Sequence, residues 1–161
     1  LSEYKAVAQL NTTDQVEVEA RREALLKQLD QAIAPGWVLL ALRAVGLNAA
    51  DISVAVGANP RTAASWLEED PPLIKKKRHQ QRIRELKEVT RFIVANGVIS
   101  LQEADWLRDP NRGADFSTPL ELIGVGKWQE AGRLYCGDVG AEVPPMFLGD
   151  RELRPAGIAE P

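Results

Sequence analysis

The sequence holds one cysteine, one histidine and one methionine, and aromatic residues make up only 6% of it. A single cysteine, Cys136, excludes an internal disulfide and fits a reducing compartment; it reads as a small, half-buried residue rather than a nucleophile. His79 and Cys136 are 57 residues apart, and His79 sits in a run of cations where a surface role is expected. The convergent titrating groups that catalysis requires are therefore missing. No Cys/His cluster has metal-ligand spacing, and carboxylates at helix starts are capping groups first. A phosphate loop is excluded at Gly124-Val125-Gly126-Lys127-Trp128, because Glu121 stands where the first glycine belongs and Trp128 replaces the Ser or Thr after the lysine. The expectation is a non-enzyme with neither cofactor nor metal. Long apolar runs are also lacking: the longest, Trp37 to Leu42, is far too short to span a bilayer, and no basic region leads into an apolar one near Leu1. A cytoplasmic protein without a membrane partner is expected. The chain starts at Leu1 and its one methionine is Met146, so the native start is expected upstream.

What the sequence does contain is apolar residues at 45% over 161 positions, enough for a real core. The net charge of −3 hides a segregated distribution. Residues 1–33 carry 4 Lys/Arg and 6 Asp/Glu, residues 34–70 carry 2 and 4, residues 71–96 carry 8 and 2, and residues 97–161 carry 6 and 11. Nearly all the excess positive charge falls in one short block.

Strand alternation and internal repeats are absent, and the periodicity is that of helices throughout. Asp14 can cap a helix to about Ala34, with Val18, Arg22, Leu25, Leu29 and Ile33 at helical spacing; Pro35-Gly36 ends it. A short apolar helix follows from Trp37 to Val45, stopped by Gly46. Asn48 caps the next, with Asp51 at its third position, and Gly57 closes it. Asn59 caps another, with Pro60 at the first helical position. After Pro71-Pro72 the basic block feeds a long amphipathic helix with Ile83, Leu86, Val89 and Ile93 on one face, ending at Asn96-Gly97. Ser100 with Glu103, and Thr118 with Glu121, form capping boxes for two further helices, and a last helix spans about Lys127 to Cys136. From Ala141 onward, four prolines and scattered charges suggest an extended tail.

The stretch Ala55-Val56-Gly57-Ala58-Asn59-Pro60-Arg61-Thr62 stops one helix and starts another within a few residues. Such a turn, with small residues facing the first helix, is what a helix-turn-helix requires. Ile52, Ala55 and Val56 supply one packing face, and Ala63, Ala64 and Trp66 the other. The start of the second helix then presents Asn59, Arg61, Thr62 and Ser65, side chains able to meet base edges or phosphates. Residues 34–70 are net negative, an awkward balance for DNA. The block that follows, Lys75, Lys76, Lys77 and Arg78 with Arg82 and Arg84, can supply the phosphate contacts.

On these residues a resemblance appears. The stretch from Gly46 to Trp66 resembles the helix-turn-helix of Xre-type repressors. A second stretch, from Asp105 to Val139, is similar to the toxin-binding domain of MbcA/ParS/Xre antitoxins; the matching positions are Trp106-Leu107, Pro110-Asn111, Gly113, Pro119-Leu120-Glu121-Leu122 and Gly126. Where that pattern has Leu-Gly-Gly in the loop, this chain has Ala114-Asp115-Phe116. The two matches stand in the order the family uses. The resemblance implies an all-α protein: an N-terminal helical extension over 1–33, a helix-turn-helix DNA-binding domain with its basic helix over 34–96, a toxin-binding helical domain over 97–140 and an extended tail over 141–161. It further implies a type II antitoxin that blocks the active site of a RES-domain toxin, one that consumes NAD or ADP-ribosylates a protein, and that represses its own operon. The implied partners are the toxin and operator DNA, met as a homodimer within a larger complex. Toxin contacts are expected from Trp106, Pro110, Asn111, Arg112 and Phe116, and from Met146, Phe147, Leu148, Arg151 and Arg154 in the tail. The apolar trio Met146-Phe147-Leu148 is equally readable as a strap across its own bundle or a disordered end. A free-standing repressor and an interaction adaptor without DNA binding are the alternative functions.

Overall fold

The computed structural model describes residues 12–96, 103–110 and 117–149. Among these residues the chain is helical, with no strand. The elements are α1 (Thr12–Gln31), α2 (Pro35–Val45), α3 (Ala49–Val56), α4 (Pro60–Glu68), α5 (Lys77–Asn96), α6 (Glu103–Arg108), α7 (Pro119–Gly124), α8 (Trp128–Val139) and a 3₁₀ turn (Pro145–Phe147). No helix among the described residues is long and apolar enough to cross a membrane.

The 20-residue helix α5 is the axis of the fold, packing against α1, α2, α3, α6, α7 and α8. Its spacing explains this. Ile83, Leu86, Val89, Thr90, Ile93 and Val94 recur at three- and four-residue steps and are all buried, so one continuous stripe faces the neighbours. The hydrophobic cluster built on that stripe runs from Leu25 and Leu29 of α1 through Ile52, Ala63 and Leu107 to Ile123, Tyr135 and Phe147. The regions expected as separate domains thus share one core.

Several boundaries differ from the sequence expectation for local reasons. Helix α1 stops at Gln31, not Ala34, because Pro35 requires an extended residue before it, and Ala34 has φ −65° and ψ 140°. Pro35 therefore opens α2 instead of closing α1. Ile33, expected on the apolar face of α1, lies past its end and is 81% exposed, while Leu25 and Leu29 are buried as expected. Ala64, expected to pack with Ala63 and Trp66, is exposed, because a buried stripe one helical turn wide admits positions 63 and 66 but not 64. Helix α5 begins at Lys77, which leaves Lys75 and Lys76 in the connecting segment. The Ser100 half of one expected capping box lies outside the described residues.

The largest difference is at the C-terminal end. Residues 141–149 do not project as an extended tail: Phe147 is fully buried, with edge-to-face contacts to Phe92 at 5.0 Å and Trp128 at 6.0 Å. Its backbone is fastened by α8, as Gln129 Nε2 donates to the carbonyls of Met146 (3.1 Å) and Leu148 (2.9 Å) and Arg133 donates to that of Phe147. Gly132 makes the seat, since a Cβ there would stand 2.4 Å from the Phe147 ring. Of the three readings of the trio, toxin contact, strap and disordered end, the strap across its own bundle is the one the described residues adopt.

Candidate nucleic-acid interface

Helices α3 and α4 are joined by three residues, Gly57, Ala58 and Asn59. Gly57 adopts φ 75°, a left-handed conformation that ends α3 without side-chain strain. The Ser53 hydroxyl donates to the Ala58 carbonyl at 2.6 Å, and the Asn59 Oδ1 accepts from the Arg61 N–H at 2.8 Å, fixing the start of α4. Ala63 and Trp66 are buried beneath, while Arg61, Thr62 and Ser65 are exposed. The turn does what its sequence indicates: it aims a polar helix start outward.

The support of α3 comes from the second half of the chain. Asp51, 5% exposed, accepts from the Asn48 N–H at 2.8 Å in a reciprocal capping box. It also accepts from Arg108 of α6, Nη2 to Oδ2 at 2.7 Å and Nε to Oδ1 at 3.0 Å, and the same Nη2 reaches the Gly46 carbonyl at 2.8 Å. The paired carboxylate raises the Arg108 pKa, chiefly through its hydrogen bond. Residues 57 positions apart thus hold the first helix of the pair in place.

Beside the exposed start of α4 lies a cleft of about 730 Å³. Its walls bring Asn59, Arg61, Thr62 and Ser65 together with Lys75, Lys76 and Arg78, seven of the eight residues expected to meet DNA. Lys77 is exposed at the first position of α5 but outside the lining. The connecting segment is pinned by Ile74, which is buried and whose carbonyl accepts from Gln80 Nε2 at 2.8 Å. Lys75 and Lys76 follow that anchor directly.

The basic block divides into two sets. Arg82 pairs with Glu85 at 3.0 Å, Arg84 donates to Gln81 at 2.6 Å, Lys87 donates to the Ala32 carbonyl at 2.6 Å, and Arg91 pairs with Asp30. The side chains of Arg61, Lys75, Lys76, Lys77 and Arg78, by contrast, have no partner among the described residues. Among the described residues Glu69 is the one carboxylate lining the cleft, against four cations. Neither α4 nor α5 has an acidic residue in its first turn, although helix starts favour them. Two positive helix ends and four unpaired cations therefore meet at one concave surface, an arrangement that attracts polyanions.

His79 departs from expectation. It is not a surface residue but 6% exposed, beneath Trp66 with ring centroids 5.3 Å apart and edge-to-face. Its Nε2 is buried and has no hydrogen-bond partner among the described residues, and the residue lines the cleft. Burial first, then the charges of Arg78 and Lys76, hold the imidazole below its ordinary pKa. No local spacing in the sequence signals this placement.

The residues expected to meet a toxin are scattered in their environments. Trp106 is half-buried, donating to Asp138 at 2.8 Å and packing edge-on against Tyr135 at 4.9 Å. Pro110 is exposed, Met146 and Leu148 are half-buried, and Phe147 is enclosed by the chain's own core. Phe147 is therefore unavailable as a partner contact in this conformation. Asn111, Arg112, Phe116, Arg151 and Arg154 lie outside the described residues.

No family model matches the chain, and neither a curated protein nor a solved structure matches it.

Proposed function

We propose that this chain is a DNA-binding antitoxin: α3 and α4 act as a helix-turn-helix that represses an operon, and the second half neutralises a RES-domain toxin encoded with it by covering its active site. The observation that carries the DNA part is the cleft, where the exposed start of α4 meets the cations that α5 leaves unpaired. Arg61, Thr62 and Ser65 read base edges in the major groove; Lys75, Lys76 and Arg78 hold the phosphates. The negative balance of residues 34–70 is reduced because Asp51 is neutralised internally by Arg108. The exposed Ile33 and Trp37 offer apolar surface for the homodimer that two half-sites call for.

The toxin part rests on the resemblance of Asp105 to Val139, with Pro110, Met146 and Leu148 as contact residues. The enclosure of Phe147 favours the runner-up, a free-standing repressor, because the most apolar residue of the tail is occupied within the chain. Purification at low salt from a host carrying the native operon distinguishes them. A stoichiometric second protein establishes the antitoxin. A homodimer eluting alone, while the neighbouring gene is expressed, establishes the repressor. Salt-dependent binding to upstream DNA is expected of both, and its absence with a partner present leaves the adaptor.

A further inference from the structure

The cleft holds one feature that electrostatic attraction to DNA does not require: a buried imidazole among unpaired cations. His79 belongs to the first turn of α5, where backbone N–H groups have no intrahelical partner, and it shares the cleft wall with Lys76 and Arg78. The charged groups around it are Lys75 and Lys76 from the connecting segment, Arg61 and Glu69 from the α4 side, and Arg78 from its own helix. With four cations against one carboxylate, a proton on His79 is disfavoured in the free protein. An anion in the cleft reverses that balance, since opposite charge favours the protonated form and supplies an acceptor for it. We propose that the cleft seats a phosphate group and that His79 takes up a proton from solvent when it does so.

This rests on the DNA-binding reading for the source of the phosphate, a phosphodiester of the duplex, but the same chemistry would receive a free phosphate. Binding is then coupled to pH. Lowering the pH toward the imidazole range strengthens the complex, and phosphate binding and protonation assist each other reciprocally. Trp66 touches the imidazole as well, the two rings standing edge-to-face with centroids 5.3 Å apart. The recognition helix and the proton site are thereby in direct contact through one ring pair.

The chain has a single histidine, so its imidazole resonances can be followed by NMR without assignment ambiguity. The full chain is titrated from pH 8 to 5 alone, with a mixed-sequence duplex at low salt, and with inorganic phosphate at millimolar concentration. The expected result is a His79 midpoint raised by about one pH unit with the duplex, and duplex affinity rising by about tenfold in total as the pH falls from the bound midpoint through the free one. His79→Gln is expected to bind duplex with an affinity that no longer rises as the pH falls. A shift with duplex alone identifies the nucleic-acid backbone as the phosphate source. A shift with inorganic phosphate and no duplex binding keeps the phosphate seat and removes the DNA reading. Duplex binding with an unmoved His79 midpoint overturns the inference and leaves the DNA reading standing; no response to either probe overturns both.

Discussion

Four helix starts in this protein fall into two pairs, and the pairs are built oppositely. Helices α3 and α7 begin with reciprocal capping boxes, Asn48 with Asp51 and Thr118 with Glu121, so each carries a carboxylate against its own positive end. Helices α4 and α5 carry none, and the positions around the start of α5 are filled by Lys75, Lys76, Lys77 and Arg78. The first pair uses its electrostatics to hold the fold together. The second leaves positive potential unspent at a cleft, which disfavours the free protein slightly and favours an anionic ligand. Stability and binding are thus assigned to different ends of helices that share one core.

The largest test of this contrast is at Asp51. Asp51→Ala removes the acceptor for the Asn48 N–H, one half of the capping box of α3, and leaves Arg108 without its bidentate partner, but Arg108 is 35% exposed and can turn partly to water. A loss of about 2–3 kcal/mol in urea unfolding is expected. Asp51→Asn, which keeps a capping oxygen but not the charge, should recover part of it. If both variants unfold like the parent chain, the start of α3 is not closed in the sense argued above.

Arg78→Glu tests the opposite side. It places an acid in the first turn of α5 and removes a cation proposed to hold a phosphate, so on the DNA-binding proposal duplex affinity should fall at least about tenfold with a shallower salt dependence. Stability should rise by about 0.3–1 kcal/mol because the new charge suits the helix end. Calorimetry and binding measured on one sample would show the two quantities moving apart. A fall in both would mean that Arg78 supports the fold and that the cleft is not kept positive at the fold's expense.

The closed starts were readable in the sequence because a capping box spans four residues and depends on nothing beyond them. The Gly57 turn was readable for the same reason. The Asp51–Arg108 pair spans 57 residues, and the seat of Phe147 joins α5, α8 and the residues after α8. Neither leaves a local pattern. The basic block was legible as charge, but not all of its division, because two of its cations are held by residues far back in the chain: Lys87 reaches the Ala32 carbonyl just past α1, and Arg91 reaches Asp30 within it. His79 was misplaced on the surface for a similar reason, as its burial is created by Trp66 folding over from α4.

A smaller effect is expected at the second capping box. Thr118→Ala removes the side chain that accepts from the Glu121 N–H at 3.1 Å and should cost about 1 kcal/mol. Duplex binding should not change, since α7 contributes nothing to the cleft lining. Altered binding from this variant would show that the closed and open starts are coupled through the core.

The smallest effect is the pH dependence of stability without ligand, where His79 reports on the open pair. Its imidazole is held below the ordinary value of 6.5 by burial and by Arg78 and Lys76, so the unfolded chain binds the proton more readily. Stability from this source is complete above 6.5 and declines as pH falls through the folded-state value. His79→Gln should flatten that part of the profile, leaving the carboxylate transition below it, to which Asp30 contributes because its hydrogen bond with Arg91 lowers its pKa. The two slopes have one sign but different origins: Asp30 is lost because a formed pair is broken, and His79 because a charge is added where cations are already crowded. Neutralising Lys76 to Ala should therefore weaken the His79 slope while leaving the Asp30 slope untouched.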